Sequence, residues 1–143
     1  MIWLKFTELL IGGWVMNNNI LIFFGTIVPK PRMTRSDKWK SRDTVNHYWA
    51  FKDELTLLAN KHQFKLGKVL DLQFCLPMPK SWSQKKRREM NGKPHEVKPD
   101  IDNLIKSVLD CLLPDGDSQV HKFTGVEKIW VNSDIGCITI INK

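Results

Sequence analysis

Three cysteines, Cys75, Cys111 and Cys137, are spread through 143 residues without a C-x-x-C pair. An odd, widely spaced set provides neither a disulfide framework nor a zinc ribbon. It fits a reduced chain, so a cytoplasmic protein is expected. G-x-S-x-G, H-E-x-x-H and P-loop motifs are missing, and no organic cofactor is expected. The four histidines, His47, His62, His95 and His121, lack metal-ligand spacing and read as lone surface residues. Long apolar runs are also absent. "MIWLKFTELLIGGWVM" comes nearest, but Lys5 and Glu8 interrupt it and it is too short to cross a bilayer. No small-residue cleavage site follows, so no membrane partner is expected. Gly12-Gly13 can be the translation of GGAGGN, a bacterial ribosome-binding sequence, at a suitable distance before Met16. On that reading residues 1–15 are a mis-called extension and residues 16–143 form a single domain.

What is abundant is positive charge: 22 Lys/Arg against 15 Asp/Glu, net +7. Its distribution says more than its sum. Residues 30–42, "KPRMTRSDKWKSR", hold six bases and one acid, and residues 80–98, "KSWSQKKRREMNGKPHEVK", hold seven bases and two acids. The rest of the chain has more acids than bases. Two basic segments on a slightly acidic body suit a polyanion held by its phosphates. Solvated charged loops are the plainer alternative. Trp39 and Trp82, one in each segment, offer stacking or wedging surfaces, or packing of the loops onto the body.

Hydrophobic patterning predicts the order β-α-β-α-α-β-β: an α+β single domain with a mixed β-sheet and helices packed on it. "NILIFFGTIV" (19–28) reads as a buried strand ended by Pro29. Tyr48, Phe51, Leu55 and Leu58 mark a helix that Asp43 or Thr44 can cap. "VLDLQFCL" alternates as a strand until Pro77. Ser81 and Gln84 form a capping box for a short basic helix. Leu104, Ile105, Val108, Leu109 and Leu112 make the apolar stripe of a further helix. "VEKIWV" and "CITIIN" are expected to pair as a hairpin through "NSDIG".

Against the basic background, Asp100, Asp102, Asp110, Asp115 and Asp117 fall within eighteen positions, with Lys106 among them. Pro99 biases Lys98 toward an extended conformation, so the chain is expected to enter its helix straight. Asp102, Lys106 and Asp110 then share a face opposite the apolar stripe. Gathered carboxylates repel, at about 4 kcal/mol for a pair 4 Å apart at an effective dielectric of 20. A divalent cation offsets this, and Mg²⁺ takes oxygen ligands beside a phosphate. The plainer roles are an N-cap for Asp100 or Asp102, an ion pair for Lys106, a surface position for Asp110 and a turn for Asp115. An EF-hand does not fit, because Val120 and Val126 stand where glycine and glutamate are needed.

"KPDIDNLIKSVLDCL", "DGDSQV", "EKIW" and "PKPRMTR" together resemble the RusA-type Holliday-junction resolvases, small endonucleases often encoded by phages and prophages. The likeness runs from about residue 20 to the C-terminus. It implies a homodimer that cuts four-way DNA junctions by paired nicks with Mg²⁺, Mn²⁺ substituting, in DNA recombination and repair. Asp100, Asp102 and Asp117 match the family's catalytic, metal-ligating aspartates, and Lys106 matches its lysine. In the family the third aspartate belongs to an adjacent pair. Here Gly116 splits that pair, so Asp115 competes with Asp117. Candidates for DNA contact are Arg32, Arg35, Lys85, Lys86, Arg87, Arg88 and Lys98. The rival readings are a non-catalytic DNA-binding recombination accessory protein and a nuclease for other branched DNA.

Overall fold

The computed structural model describes residues 18–32 and 42–143. The expected extension, Arg35 and Trp39 lie outside them. The elements are β1 (Ile20–Gly25), α1 (Asp43–Lys61), β2 (Val69–Pro77), α2 (Gln84–Met90), α3 (Ile101–Leu112), β3 (Lys122–Val131) and β4 (Gly136–Asn142). The expected α+β order is therefore the one found. Among the described residues the strands form one mixed sheet in the order β1-β4-β2-β3, with only the β2–β3 pair parallel.

That order overturns the expected hairpin. β3 and β4 follow one another in the chain, yet β2 lies between them. Toward its end β2 loses its alternation, with Phe74, Cys75 and Leu76 all buried, which suits a central place in the sheet. Residues 132–135 then pass over the end of β2, where Pro77 has no N–H to pair. Gly136 completes this crossing. A Cβ there would lie 2.8 Å from Ile27 Cδ1 and 3.0 Å from the Cys75 carbonyl oxygen, so the close approach needs glycine.

One face of the sheet, carrying Leu21, Phe23, Leu72, Phe74, Ile138 and Ile140, packs on α1 and α3. Tyr48, Phe51 and Leu55 from α1 and Leu104 and Val108 from α3 fill the space between. Full burial of each large apolar side chain stabilises by about 1.5–3 kcal/mol. Phe23 and Phe51 meet edge to face at 5.4 Å. A smaller cluster of Ile22, Cys75, Val131 and Cys137 occupies the other face. All three cysteines are buried and none is in a disulfide.

Local details depart from expectation where a neighbour intervenes. β1 stops at Gly25 because its partner β4 begins at Gly136. Residues 26–30 leave the sheet for α3 instead: Ser107 Oγ donates to the Val28 carbonyl (2.6 Å), and the Lys30 N–H to that of Asn103 (3.2 Å). Arg42, rather than Asp43 or Thr44, is the N-cap of α1, and its side chain makes no cap bond. Ser83, and not Ser81, caps α2 by accepting the Lys86 N–H at 3.2 Å. The chain bends at residues 97–99 before it enters α3, so the straight entry is not found; the Lys98–Pro99 peptide bond is cis.

Candidate active site

α3 is the scaffold of the site. Its apolar stripe is driven into the core, with Leu104, Val108 and Leu109 buried, which turns Asp102 and Lys106 out to solvent. Asp100 occupies the N-cap position, yet its carboxylate makes no cap hydrogen bond. Capping therefore does not account for it. Asp102 Oδ1 accepts the Asn103 N–H at 2.9 Å, leaving further acceptor capacity on an exposed carboxylate.

The start of α3 is fixed from the sheet. Lys128, half-buried on β3, donates from Nζ to the carbonyls of Val97 (2.5 Å) and Pro99 (2.6 Å). Those carbonyls lie three residues and one residue before Asp100. The middle of α3 is fixed from the other side, since Lys30 Nζ donates to Asp110 Oδ2 at 2.6 Å, with each side chain 27% exposed. Asp110 is therefore not a plain surface residue, and it is not available as the partner of Lys106. Asn103, Ser107 and Asp110 hold residues 28–30 along one side of the helix. Hence the first basic segment begins beside the acidic helix, which spacing alone did not reveal.

Behind the end of α3 the chain turns at Pro114-Asp115, with the Gly116 N–H donating to the Leu113 carbonyl at 3.1 Å and φ +125° at Gly116. That φ is left-handed territory where glycine carries little strain. The turn leaves Asp115 exposed and places the half-buried Asp117 on the wall of a cleft of about 320 Å³. Lys30, Tyr48, Trp49, Lys52, Lys106 and Asp110 share that wall. Of the sequence candidates, the cleft thus joins Lys106 and Asp117. Asp100 and Asp102 are outside its lining, at the other end of the exposed face of α3. Among the described residues Lys106 has no hydrogen bond or ion pair, so its ammonium is free to meet an incoming phosphate. Tyr48 is fully buried at the cleft floor, and burial, ahead of the neighbouring Cys111 and Asp110, drives its hydroxyl's pKa up. It stays a neutral phenol.

A larger hollow of about 510 Å³ lies between residues 26–31 and α1, lined by Ile27, Val28, Pro29 and Phe51 among others. It is mainly apolar and contains none of the candidate residues, so chemistry favours the smaller cleft.

Carboxylate oxygens suit Mg²⁺ in kind, and this ion often uses only one or two of them beside waters and phosphate. In number the fit is less complete. Among the described residues no three His, Cys, Asp or Glu side chains converge as a metal-binding group.

The basic connection 77–99 is more ordered than a solvated loop. Its residues 92–95 run along the outer edge of β3 through Gly92 N–H to Trp130 O (2.8 Å), Trp130 N–H to Lys93 O (2.9 Å) and His95 N–H to Lys128 O (3.0 Å). This covers an edge that would otherwise offer unpaired amides. Trp82 packs on Trp130 at 4.7 Å with Lys86 Nζ 4.2 Å from its ring centre, so its ring is used in packing. Arg87 donates to the carbonyls of Trp82 (3.2 Å) and Pro79 (3.0 Å). Lys85, Arg88, Lys98 and Arg32 are exposed. His95 corrects the surface-histidine reading. It is 5% exposed, packs against Trp130 with ring centres 4.0 Å apart, and its Nδ1 is buried without a partner. Burial, then the Lys128 charge, lowers its pKa below the usual histidine value.

Sequence reasoning passed over Trp49, Lys52 and Lys128. Lys128 is invisible as an anchor because its partners lie about thirty residues away. The exposed Trp49 had a signal: it interrupts the polar side of an amphipathic helix. No helix among the described residues is long and apolar enough to cross a membrane. The family model for endodeoxyribonuclease RusA matches residues 25–136. No individual protein of curated function matches the chain.

Proposed function

Because the chain belongs to the RusA endodeoxyribonuclease family, we propose that it resolves four-way (Holliday) DNA junctions by paired, symmetric nicks in recombination and repair. The observation that carries this reading is the family match over most of the chain, joined to a cleft that holds Lys106 and Asp117 beside an acidic helix. The exposed basic side chains Arg32, Lys85, Lys86, Arg88 and Lys98 would hold the sugar-phosphate backbone, as Lys/Arg contacts do without regard to sequence. Arg87 supports this surface by tying α2 to the 79–82 carbonyls, and Arg35 extends the first segment.

Mg²⁺, with Mn²⁺ as substitute, is the proposed cofactor, and one or two carboxylates drawn from Asp100, Asp102 and Asp117 would hold it beside waters and phosphate. Such an ion polarises a phosphoryl oxygen and lowers the pKa of a bound water. Lys106 would place its positive charge against the scissile phosphate, where charge builds up as the bond breaks. Asp102, which has spare acceptor capacity, would orient the attacking water. Lys128 keeps the start of α3 in place while this happens. A junction with two-fold symmetry, cut at two equivalent points, calls for two equivalent sites, so a homodimer is part of the proposal.

The decisive experiment compares a synthetic four-way junction with linear duplex of the same sequence, in Mg²⁺ and in EDTA. Wild type and Asp102→Asn are run side by side, and binding is followed by gel shift. Paired nicks in the junction alone, lost in the variant with binding intact, support the resolvase reading. Binding without cleavage in Mg²⁺, or in Mn²⁺ put in its place, makes the protein an accessory DNA-binding factor. Cleavage of flaps or single strands with the junction untouched makes it a nuclease for other branched DNA.

A further inference from the structure

α1 contributes two residues to the cleft that belong to neither basic segment. Trp49 is 46% exposed, the largest side chain left open on that helix, and it lines the cleft with Lys106 and Asp117. Lys52 stands one turn further on, its Nζ 5.2 Å from the Trp49 ring centre, on the same wall. Tyr48 lies against Trp49 at 5.4 Å and steadies it from below. Among the described residues Lys52 makes no ion pair, whereas Lys30 is neutralised by Asp110. The cleft therefore offers an aromatic plane and two ammonium groups without an ion pair, Lys52 and Lys106, beside the single carboxylate of Asp117, within about 320 Å³. That volume is at the low end of small-ligand pockets and admits one nucleotide, not a duplex.

Building on the endonuclease reading, we propose that Trp49 and Lys52 form a nucleotide subsite of this cleft. Trp49 stacks on one unpaired base beside the scissile phosphate, and Lys52 contacts the phosphate of that nucleotide. Every base has a π-face, so the contact tolerates sequence, and an adjacent cation strengthens it. In continuous duplex the base is stacked and paired, and extruding it costs several kcal/mol. At a branch point that cost is smaller. The subsite would thus help select branched DNA over linear DNA from within the cleavage cleft.

The test is gel shift in EDTA with a four-way junction and with linear duplex, using wild type, Trp49→Ala, Trp49→Phe and Lys52→Gln. Circular dichroism and thermal melts establish that each variant is folded. Trp49→Ala is expected to weaken junction binding about tenfold or more, with Trp49→Phe retaining most of the affinity. Duplex affinity should be unchanged in both. Abasic nucleotides are then placed one at a time around the branch point. At one position the abasic substitution should weaken wild type as much as Trp49→Ala does, and should weaken Trp49→Ala no further. Lys52→Gln should reduce the slope of log K against log salt by about 0.9. Equal abasic penalties in wild type and Trp49→Ala, or equal junction affinity, overturn the subsite even if the junction is still nicked. Wild type that neither binds nor nicks branched DNA overturns the endonuclease reading, and the subsite with it.

Discussion

Replacing Lys128 with methionine tests whether the start of α3 is held from β3. The substitution keeps a long apolar stem and removes both hydrogen bonds, to Val97 O at 2.5 Å and to Pro99 O at 2.6 Å. A hydrogen bond from a charged donor contributes about 1.5–3 kcal/mol when shielded. The Val97 carbonyl is exposed and the Pro99 carbonyl part-buried, so the first bond counts for little and the second for most. The expected loss is about 2 kcal/mol, or roughly 7 °C in Tm for a domain of this size. A second effect separates the clamp from general weakening. Lys128 is one cause of the lowered His95 pKa, so its removal should raise that pKa, visible in the His95 ring signals by NMR. With the entry to α3 loosened, junction cleavage per folded molecule should fall tenfold or more while binding changes less than threefold. Lys128→Arg, which keeps donors near both carbonyls, should recover part of the rate. A Lys128→Met protein as stable as wild type would refute the energetic argument. A destabilised variant that still cuts at the wild-type rate would refute the link to the site.

Asp117→Asn should abolish junction cleavage while Asp115→Asn stays within about twofold of wild type, because only Asp117 lines the cleft; single-turnover nicking assays would show it. A double-mutant cycle with Lys30→Met and Asp110→Asn should give a coupling of about 1 kcal/mol by denaturant melts, since both groups are partly exposed and solvent screens them. Zero coupling would mean that the pair does not hold residues 28–30 to α3. His95 binds its proton less readily folded than unfolded, so the unfolded chain takes up more protons in acid. Stability should be full above about pH 6.5 and decline as pH falls from there through the lowered folded pKa. His95→Phe should flatten that part of the pH–stability curve, and an unchanged slope would exclude His95 as its source.

Short-range patterns were legible because they depend only on neighbours along the chain. Alternation in β2 and the stripe Leu104–Val108–Leu109 each follow from the geometry of a strand or helix that must bury one side. The three-residue offset between the expected strand end at Val28 and the observed one at Gly25 is of another kind: the strand stops where β4 runs out, and no local residue reports that. The capping shift from Ser81 to Ser83 is a small version, since both serines offer the same hydroxyl and Ser83 is the one that accepts the Lys86 N–H, beside a Trp82 packed on Trp130.

For the site the division is similar. The cluster Asp100, Asp102, Lys106, Asp110, Asp115 and Asp117 stands out in a basic chain from composition alone, and helical spacing puts Asp102, Lys106 and Asp110 on one face. Which of them are engaged was not legible. Asp110 is taken by Lys30 from eighty residues away, His95 is buried within a connection that reads from sequence as a loop, and Asp117 parts from Asp115 at a left-handed glycine.

Contiguous residues were enough to set the elements, their order, the side of α3 that faces solvent and the family to which the chain is matched, because periodicity and motif are local properties. Three-dimensional packing was needed to place β2 between β3 and β4, to brace the acidic helix with Lys128 and Lys30, and to bring Trp49 and Lys52 into one cleft with Lys106 and Asp117. Those are contacts between distant segments, selected by which pairings bury the most apolar surface while satisfying the buried polar groups.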